Sequence, residues 1–241
     1  MQNLKSKIIF IVVLVLCIFS FFAISKVAII HNNDTDSIKF KEEYESLNGK
    51  KYKNKKIRDV KIEKDNPFVY KTAEEIVDLI ENGESFIVYF GFSKCPWCRS
   101  MIETFIKTAK ENNIDKIYYV DIEEIRNVIE YDKDGNLVTT KNGTPDYYDL
   151  VNKLNSVLNQ YTLNNNGEEV AIGEKRIYAP NVVLVNNGEP VEMIDPIENI
   201  IKDPASEITK EQKEEMSNKI KCLFSCMMLQ SLIIIYLSLI E

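Results

Sequence analysis

Cys95, Pro96, Trp97 and Cys98 place two thiols two residues apart, with Lys94 just before them and Arg99 just after. Cysteines at this spacing suit thiol–disulfide exchange: one thiolate attacks a disulfide, and the second thiol stands within reach to resolve the mixed disulfide. The attacking thiol must ionise readily, which depends on its surroundings. Phe86-Ile87-Val88-Tyr89-Phe90 reads as a buried strand, and after Gly91 to Lys94 the residues Met101, Ile102, Phe105 and Ile106 recur at helical spacing. Cys95 therefore falls at the N-cap of a helix, Pro96 at its first position, where a missing N–H costs nothing, and Cys98 one turn in on the same side. The unpaired N–H groups and positive dipole end of that turn stabilise a thiolate. Cys95 is thus the expected nucleophile and Cys98 the resolving thiol, with Lys94, Pro96 and Arg99 tuning the anion.

The elements that must hold this turn follow from the flanking sequence. Asn66-Pro67-Phe68-Val69-Tyr70 is a short strand candidate, and Thr72 to Glu75 has the spacing of a capping box opening a helix with Ile76, Leu79 and Ile80 on one face. Beyond the cysteines the helix is expected to run to about Asn112. Ile114 to Ile122 then reads as a second central strand, parallel to the first because a helix separates them. Glu123 to Tyr131 has a helical pattern, Asp134-Gly135-Asn136 is a turn signal, and Thr144-Pro145 opens a helix carrying Tyr148, Leu150, Val151, Leu154 and Leu158. Asn164 to Gly167 marks a further turn. Residues of about 123–175 therefore read as an insertion, part helix and part hairpin, lying on or beside the face with the cysteines, either covering the sheet or binding a partner. Arg176 to Val185 ends in an apolar strand, Asn186-Asn187-Gly188 turns it back through Pro190 to Ile194, and Ile208 to Ile220 is a charged helix that would complete the packing. The fold class expected is α/β, a central mixed sheet flanked by helices.

Strand, short loop, Cys-Pro-Trp-Cys and amphipathic helix together resemble the active site of the thioredoxin superfamily. The resemblance implies a thioredoxin-like fold over 66–221, interrupted by the insertion before the strand that carries a cis-proline. Pro180 matches that proline by order; in the family it packs against the dithiol, and the backbone just before it, here Ala179, pairs with the substrate peptide. Trp97, Ala179 and Pro180 are thus the expected substrate contacts, a merely packed Trp97 being the alternative. The implied activity is that of an oxidoreductase with a redox-active Cys95–Cys98 disulfide and no cofactor. Its partners would be protein or peptide thiols and disulfides, together with a recycling redox partner. One departure stands out: Tyr89 occupies the place, six residues before the first cysteine, where many thioredoxins carry a buried aspartate serving the resolving thiol, so the proton relay is altered. Within the superfamily the chain is similar to thioredoxin-like accessory proteins of bacteriocin export in Gram-positive bacteria. A redox-inert adaptor is the competing class. A metal site is not expected, because two cysteines without a nearby histidine or second pair leave zinc short of ligands.

The remaining segments concern location. Lys5 and Lys7 precede Ile8 to Ile24, a charge-free apolar run read as a membrane anchor within 1–30, or a signal segment if cleaved near Ala23-Ile24-Ser25. Leu16 before Cys17 does not fit a lipobox, and the flanking lysines put the rest of the chain outside the cytoplasm, where disulfides persist. Residues 31–65 read as a polar spacer that holds the only histidine, His31, with one helix near Ile38 to Leu47. The apolar tail 222–241 is read either as a second membrane segment or as a helix docked on the domain. The 241 residues carry 30 Lys+Arg and 37 Asp+Glu, a net charge of -7 with no extended basic stripe, which argues against a nucleic-acid partner. Five cysteines are too few for a disulfide scaffold.

Overall fold

A computed structural model describes residues 35–52, 55–165 and 167–238. The apolar run Ile8 to Ile24, with Cys17 and His31, lies outside the described residues, as do the last three residues of the tail. The centre of the fold is a five-stranded mixed sheet. After a two-stranded antiparallel ribbon of β1 (Lys51–Tyr52) and β2 (Lys55–Lys56), the chain builds this sheet from β3 (Phe68–Tyr70), β4 (Phe86–Gly91), β5 (Ile117–Asp121), β10 (Asn181–Asn186) and β11 (Glu189–Ile194) in the spatial order β11-β10-β4-β5-β3. Strands β3, β4 and β5 run parallel, whereas β10 is antiparallel to both β4 and β11. All six residues of β4 are buried, as its unbroken apolar run demands of a central strand.

Helices flank the sheet. Helix α2 (Ala73–Glu81) opens with the expected capping box: Thr72 Oγ1 accepts from Glu75 N–H at 3.1 Å, and Thr72 N–H donates to Glu75 Oε2 at 2.8 Å. Helix α3 (Pro96–Glu111) follows β4 and buries Met101, Ile102, Phe105, Ile106 and Ala109. It packs against α5 (Lys210–Ser238), with the Phe105 and Phe224 rings stacked at 6.3 Å and Thr108 Oγ1 bonded to Ser217 Oγ at 2.9 Å. Met216, Ile220, Leu223 and Phe224 are buried on this helix, so the apolar tail begins as part of a docked helix. No helix among the described residues is long and apolar enough to cross a membrane.

Two segments differ from the sequence reading. Residues 31–65 are not a spacer throughout. The helix expected near Ile38 to Leu47 is present over residues 35–45, α1, but its Phe40 and Tyr44 are fully buried against the fold, and Ile57, Val60 and Ile62 are buried after it. Phe40 stacks on Phe68 at 4.2 Å and on Tyr44 at 4.5 Å. Aromatic residues four apart meet on one helix face, and each buries enough surface to hold an otherwise charged helix on the sheet. In the insertion, the helical pattern of Glu123 to Tyr131 gives way to a turn and the strand β6 (Val128–Tyr131), paired with β7 (Leu137–Lys141). Pairing with β7, and a bond from Ile129 N–H to the Tyr161 hydroxyl at 3.1 Å, override the local spacing. The rest of the insertion follows the reading: α4 (Pro145–Lys153) is capped by Thr144, and β8 (Gln160–Asn165) forms a hairpin with β9 (Glu168–Lys175).

Candidate active site

The dithiol sits where the buried strand β4 hands over to α3. Cys95 is the N-cap, with extended backbone at φ −66° and ψ 117°, and Pro96 fills the first helical position. Its Sγ accepts from Cys98 N–H at 3.3 Å, so the thiol group takes up one of the helix's orphan donors, and its own S–H donates to Ala179 O at 3.5 Å. Cys98 is fully buried one turn in, and its thiol is hydrogen-bonded to the Cys95 sulfur and to the Tyr89 hydroxyl. The Ala179–Pro180 peptide bond is cis, and both residues lie at the head of β10. Cys95 and Cys98 at the start of α3, Tyr89 on β4 and Ala179 before β10 therefore form one cluster. Trp97 is half-buried beside it.

The two thiols are driven apart in acidity. Burial pushes the Cys95 thiol up, but hydrogen bonds from the Cys98 thiol and from the Cys98 and Trp97 N–H groups, together with the charge of Arg126, outweigh it and hold Cys95 below its ordinary value. Burial and the neighbouring Cys95 push Cys98 well up. One thiol is prepared to be an anion and the other to stay protonated until the first has reacted.

Beneath the dithiol lies a hydroxyl pair. The Tyr89 and Tyr44 hydroxyls are 3.1 Å apart in the core, and burial keeps both phenols protonated far above neutral pH. Tyr89 is therefore a donor toward Cys98, whereas an ionised carboxylate at the same place would be an acceptor. Gly91 makes room for it, since a Cβ there would overlap the Tyr89 hydroxyl.

Two of the expected tuning residues act elsewhere. Lys94 pairs with Glu123 at 2.9 Å on the surface. Arg99 is only 1% exposed and turns into the core, where it donates to Arg58 O at 2.6 Å, Tyr44 O at 2.9 Å, Ser93 O at 3.0 Å and Asn48 Oδ1 at 2.7 Å. It ties α3 to α1 and the segment after it. The cation whose charge reaches Cys95 is Arg126, which sequence reasoning did not single out because it lies 31 positions from the cysteine in a stretch read as helix.

An open cleft of about 530 Å³ leads to the dithiol. Cys95, Pro96, Trp97 and Ala179 form its dithiol end, Tyr52 and Phe92 add aromatic surface, and the insertion contributes Arg126 and Tyr161. Arg176 and Tyr178, between β9 and β10, complete it. Only proximity in the fold brings Tyr52, Phe92, Arg126, Tyr161, Arg176 and Tyr178 to the dithiol end, and no local spacing announces them. Cys222 and Cys226 are free thiols on α5, away from this cleft. Among the described residues no cluster of three or more His, Cys, Asp and Glu side chains is placed to hold a metal ion. Compared with known proteins, the chain matches no family model and no curated protein.

Proposed function

We propose that this chain is a thioredoxin-like thiol–disulfide oxidoreductase, held at the outer face of a membrane by the apolar run Ile8 to Ile24 and acting on protein or peptide cysteines. What supports the reading most is the division of labour at one helix terminus, with the pKa of the Cys95 thiol at the N-cap held below its ordinary value and that of the Cys98 thiol one turn below it held well above. The Cys95 thiolate attacks one sulfur of a substrate disulfide, the substrate S–S bond breaks, and the other substrate sulfur leaves as a thiolate that takes up a proton. Cys98 then loses its proton, attacks Cys95 Sγ and releases the second substrate thiol. The protein ends as the Cys95–Cys98 disulfide and the substrate has gained two electrons and two protons; the reverse sequence oxidises a dithiol. In this reading Ala179 O, 3.5 Å from Cys95 Sγ, meets a substrate backbone beside the reacting sulfur.

Insulin reduction and refolding of reduced ribonuclease test this reading. Wild type is expected to catalyse at least one of them, Cys95→Ser neither, and Cys98→Ala to accumulate a mixed disulfide with its substrate. Absence of both activities in wild type would overturn the assignment.

A further inference from the structure

Arg176 is 6% exposed, and its Nη1 is buried with no hydrogen-bond partner. Its guanidinium stacks on the Tyr161 ring at 3.9 Å and stands 5.9 Å from the Tyr178 ring, so two faces of the group are packed while a donor stays empty. Arg126, in the same cleft, has its guanidinium 5.0 Å from the Phe92 ring. None of the ion pairs among the described residues involves either arginine. This occurs in a chain with an excess of acidic residues, in which carboxylates were plentiful as partners.

A buried donor left unpaired costs free energy, and more when it is charged. Two cations sharing one cleft add mutual repulsion. A fold keeps such an arrangement at little benefit to its own stability, but a bound anion would turn both costs into attraction. The chemistry of the anion follows from the lining. A guanidinium fork matches a carboxylate in two parallel hydrogen bonds, strongest where water is excluded. Tyr52, Phe92, Trp97 and Tyr178 favour an apolar body attached to that carboxylate. Cys95 at the end of the cleft requires the same molecule to carry sulfur.

We propose that this cleft binds a carboxylate carried close to the substrate's reacting sulfur, with Arg176 as its principal receptor and Arg126 as the second. The substrates are then acidic cysteine peptides or small carboxylate-bearing disulfides. The part of the proposal that concerns substrate rests on the oxidoreductase reading; the carboxylate site itself does not.

The test uses the full chain in two experiments. In the first, the reduced protein is mixed with 3,3′-dithiodipropionate, bis(2-hydroxyethyl) disulfide and cystamine, and with two disulfide-linked peptides that differ only in Asp or Asn beside the cysteine. Wild type is expected to react at least tenfold faster with the anionic disulfide than with the neutral one, and slowest with cystamine. Arg176→Gln is expected to bring the anionic-to-neutral ratio close to one, with Arg176→Lys in between. Discrimination within the peptide pair identifies peptides as the source of the carboxylate, and discrimination confined to the small disulfides identifies small molecules. Equal rates for anionic and neutral disulfides in wild type, or a ratio untouched by Arg176→Gln, would overturn the proposal. Should Arg176→Gln fail to fold, Arg126→Gln and the second experiment decide.

In the second experiment, Trp97, the chain's only tryptophan and part of the cleft wall, reports binding in Cys95→Ser/Cys98→Ser. Its fluorescence is expected to change saturably with an acetylated Ser-Asp-Phe amide and not with the Ser-Asn-Phe counterpart. If no disulfide reacts with wild type but this titration discriminates, the redox reading fails and the carboxylate site stands. If neither peptide is preferred here and the small anionic disulfide is not preferred in the first experiment, the site is refuted.

Discussion

Arg99 and Arg176 are both almost wholly buried near the dithiol, yet the structure treats them in opposite ways. Arg99 meets four acceptors, three of them backbone carbonyls, and so joins α3 to α1, to the segment after it and to the loop before α3. Arg176 meets the faces of two tyrosines and leaves its buried Nη1 unbonded, on a side chain that lines the open cleft. Burial alone thus says little about what a charged side chain is for. The number of its hydrogen-bonding positions that the fold itself fills separates a structural clamp from a receptor.

The largest effect expected from this contrast is at the clamp. Arg99→Ala removes four hydrogen bonds, two of them to acceptors that keep a second donor in Leu47 N–H and Val60 N–H, and opens a gap between α3 and α1, so it should lower unfolding free energy by about 3–5 kcal/mol, read from the urea midpoint. A loss below 1 kcal/mol would show that the four bonds are replaced by water, and the distinction between the two arginines would collapse.

Next comes the hydroxyl pair that joins the clamp side to the dithiol, since Tyr44 supplies both a carbonyl to Arg99 and a hydroxyl to Tyr89. Tyr89→Phe removes a donor to the Cys98 sulfur, and a hydrogen bond to a charged group contributes about 1.5–3 kcal/mol. Resolution of a Cys95 mixed disulfide should therefore slow roughly tenfold near neutral pH. Its pH profile should move to the alkaline side, because Cys98, already raised by burial, loses a group that favours its thiolate. An unchanged stopped-flow rate and profile would mean that the hydroxyl only fills space.

How much of this was legible in the sequence follows the same divide between local and assembled features. Cys95 at an N-cap, Pro96 at the first position and the Thr72–Glu75 box are read from residues a few positions apart, and the structure has each of them. The partners of Arg99 lie 41 to 55 residues away in α1 and beyond it, apart from Ser93, so its proximity in sequence to Cys95 suggested a role in tuning the thiolate that the fold gives to Arg126. Arg126 and Arg176 are brought to one cleft by two hairpins and a helix whose own strands carry no chemistry. The lysine-rich stretch to Lys56 concealed Ile57, Val60 and Ile62, because average polarity outweighs three separated apolar positions in any window.

Asp195 lies between the two extremes and sharpens the comparison. Burial raises its carboxyl to about 6, while N–H donors from Ile197, at 3.0 Å, and Glu198, together with the charge of Lys219, compensate only partly. The folded carboxyl binds its proton more tightly than the unfolded one, so stability is fully present at low pH and falls as pH rises from about 4 through about 6. Asp195→Asn should therefore gain roughly 1 kcal/mol at pH 7.5 and nothing at pH 3.5, once solvent screening is allowed for. A gain of the same size at both pH values would assign the effect to packing.

The smallest effect is expected at Arg176 in the absence of ligand. Arg176→Gln loses the stacking of a cation on Tyr161, which contributes about 0.5–2 kcal/mol, but it also removes an unpaired buried charge and its repulsion with Arg126. These terms oppose one another at similar size, so the unfolding free energy should move by no more than about 0.5 kcal/mol, in contrast to the collapse expected at Arg99. The difference should then change with ligand: a carboxylate peptide stabilises wild type in proportion to its occupancy and leaves Arg176→Gln where it was. A large loss of stability without ligand would instead make Arg176 a second clamp, with the tyrosine rings, not a bound anion, as its purpose.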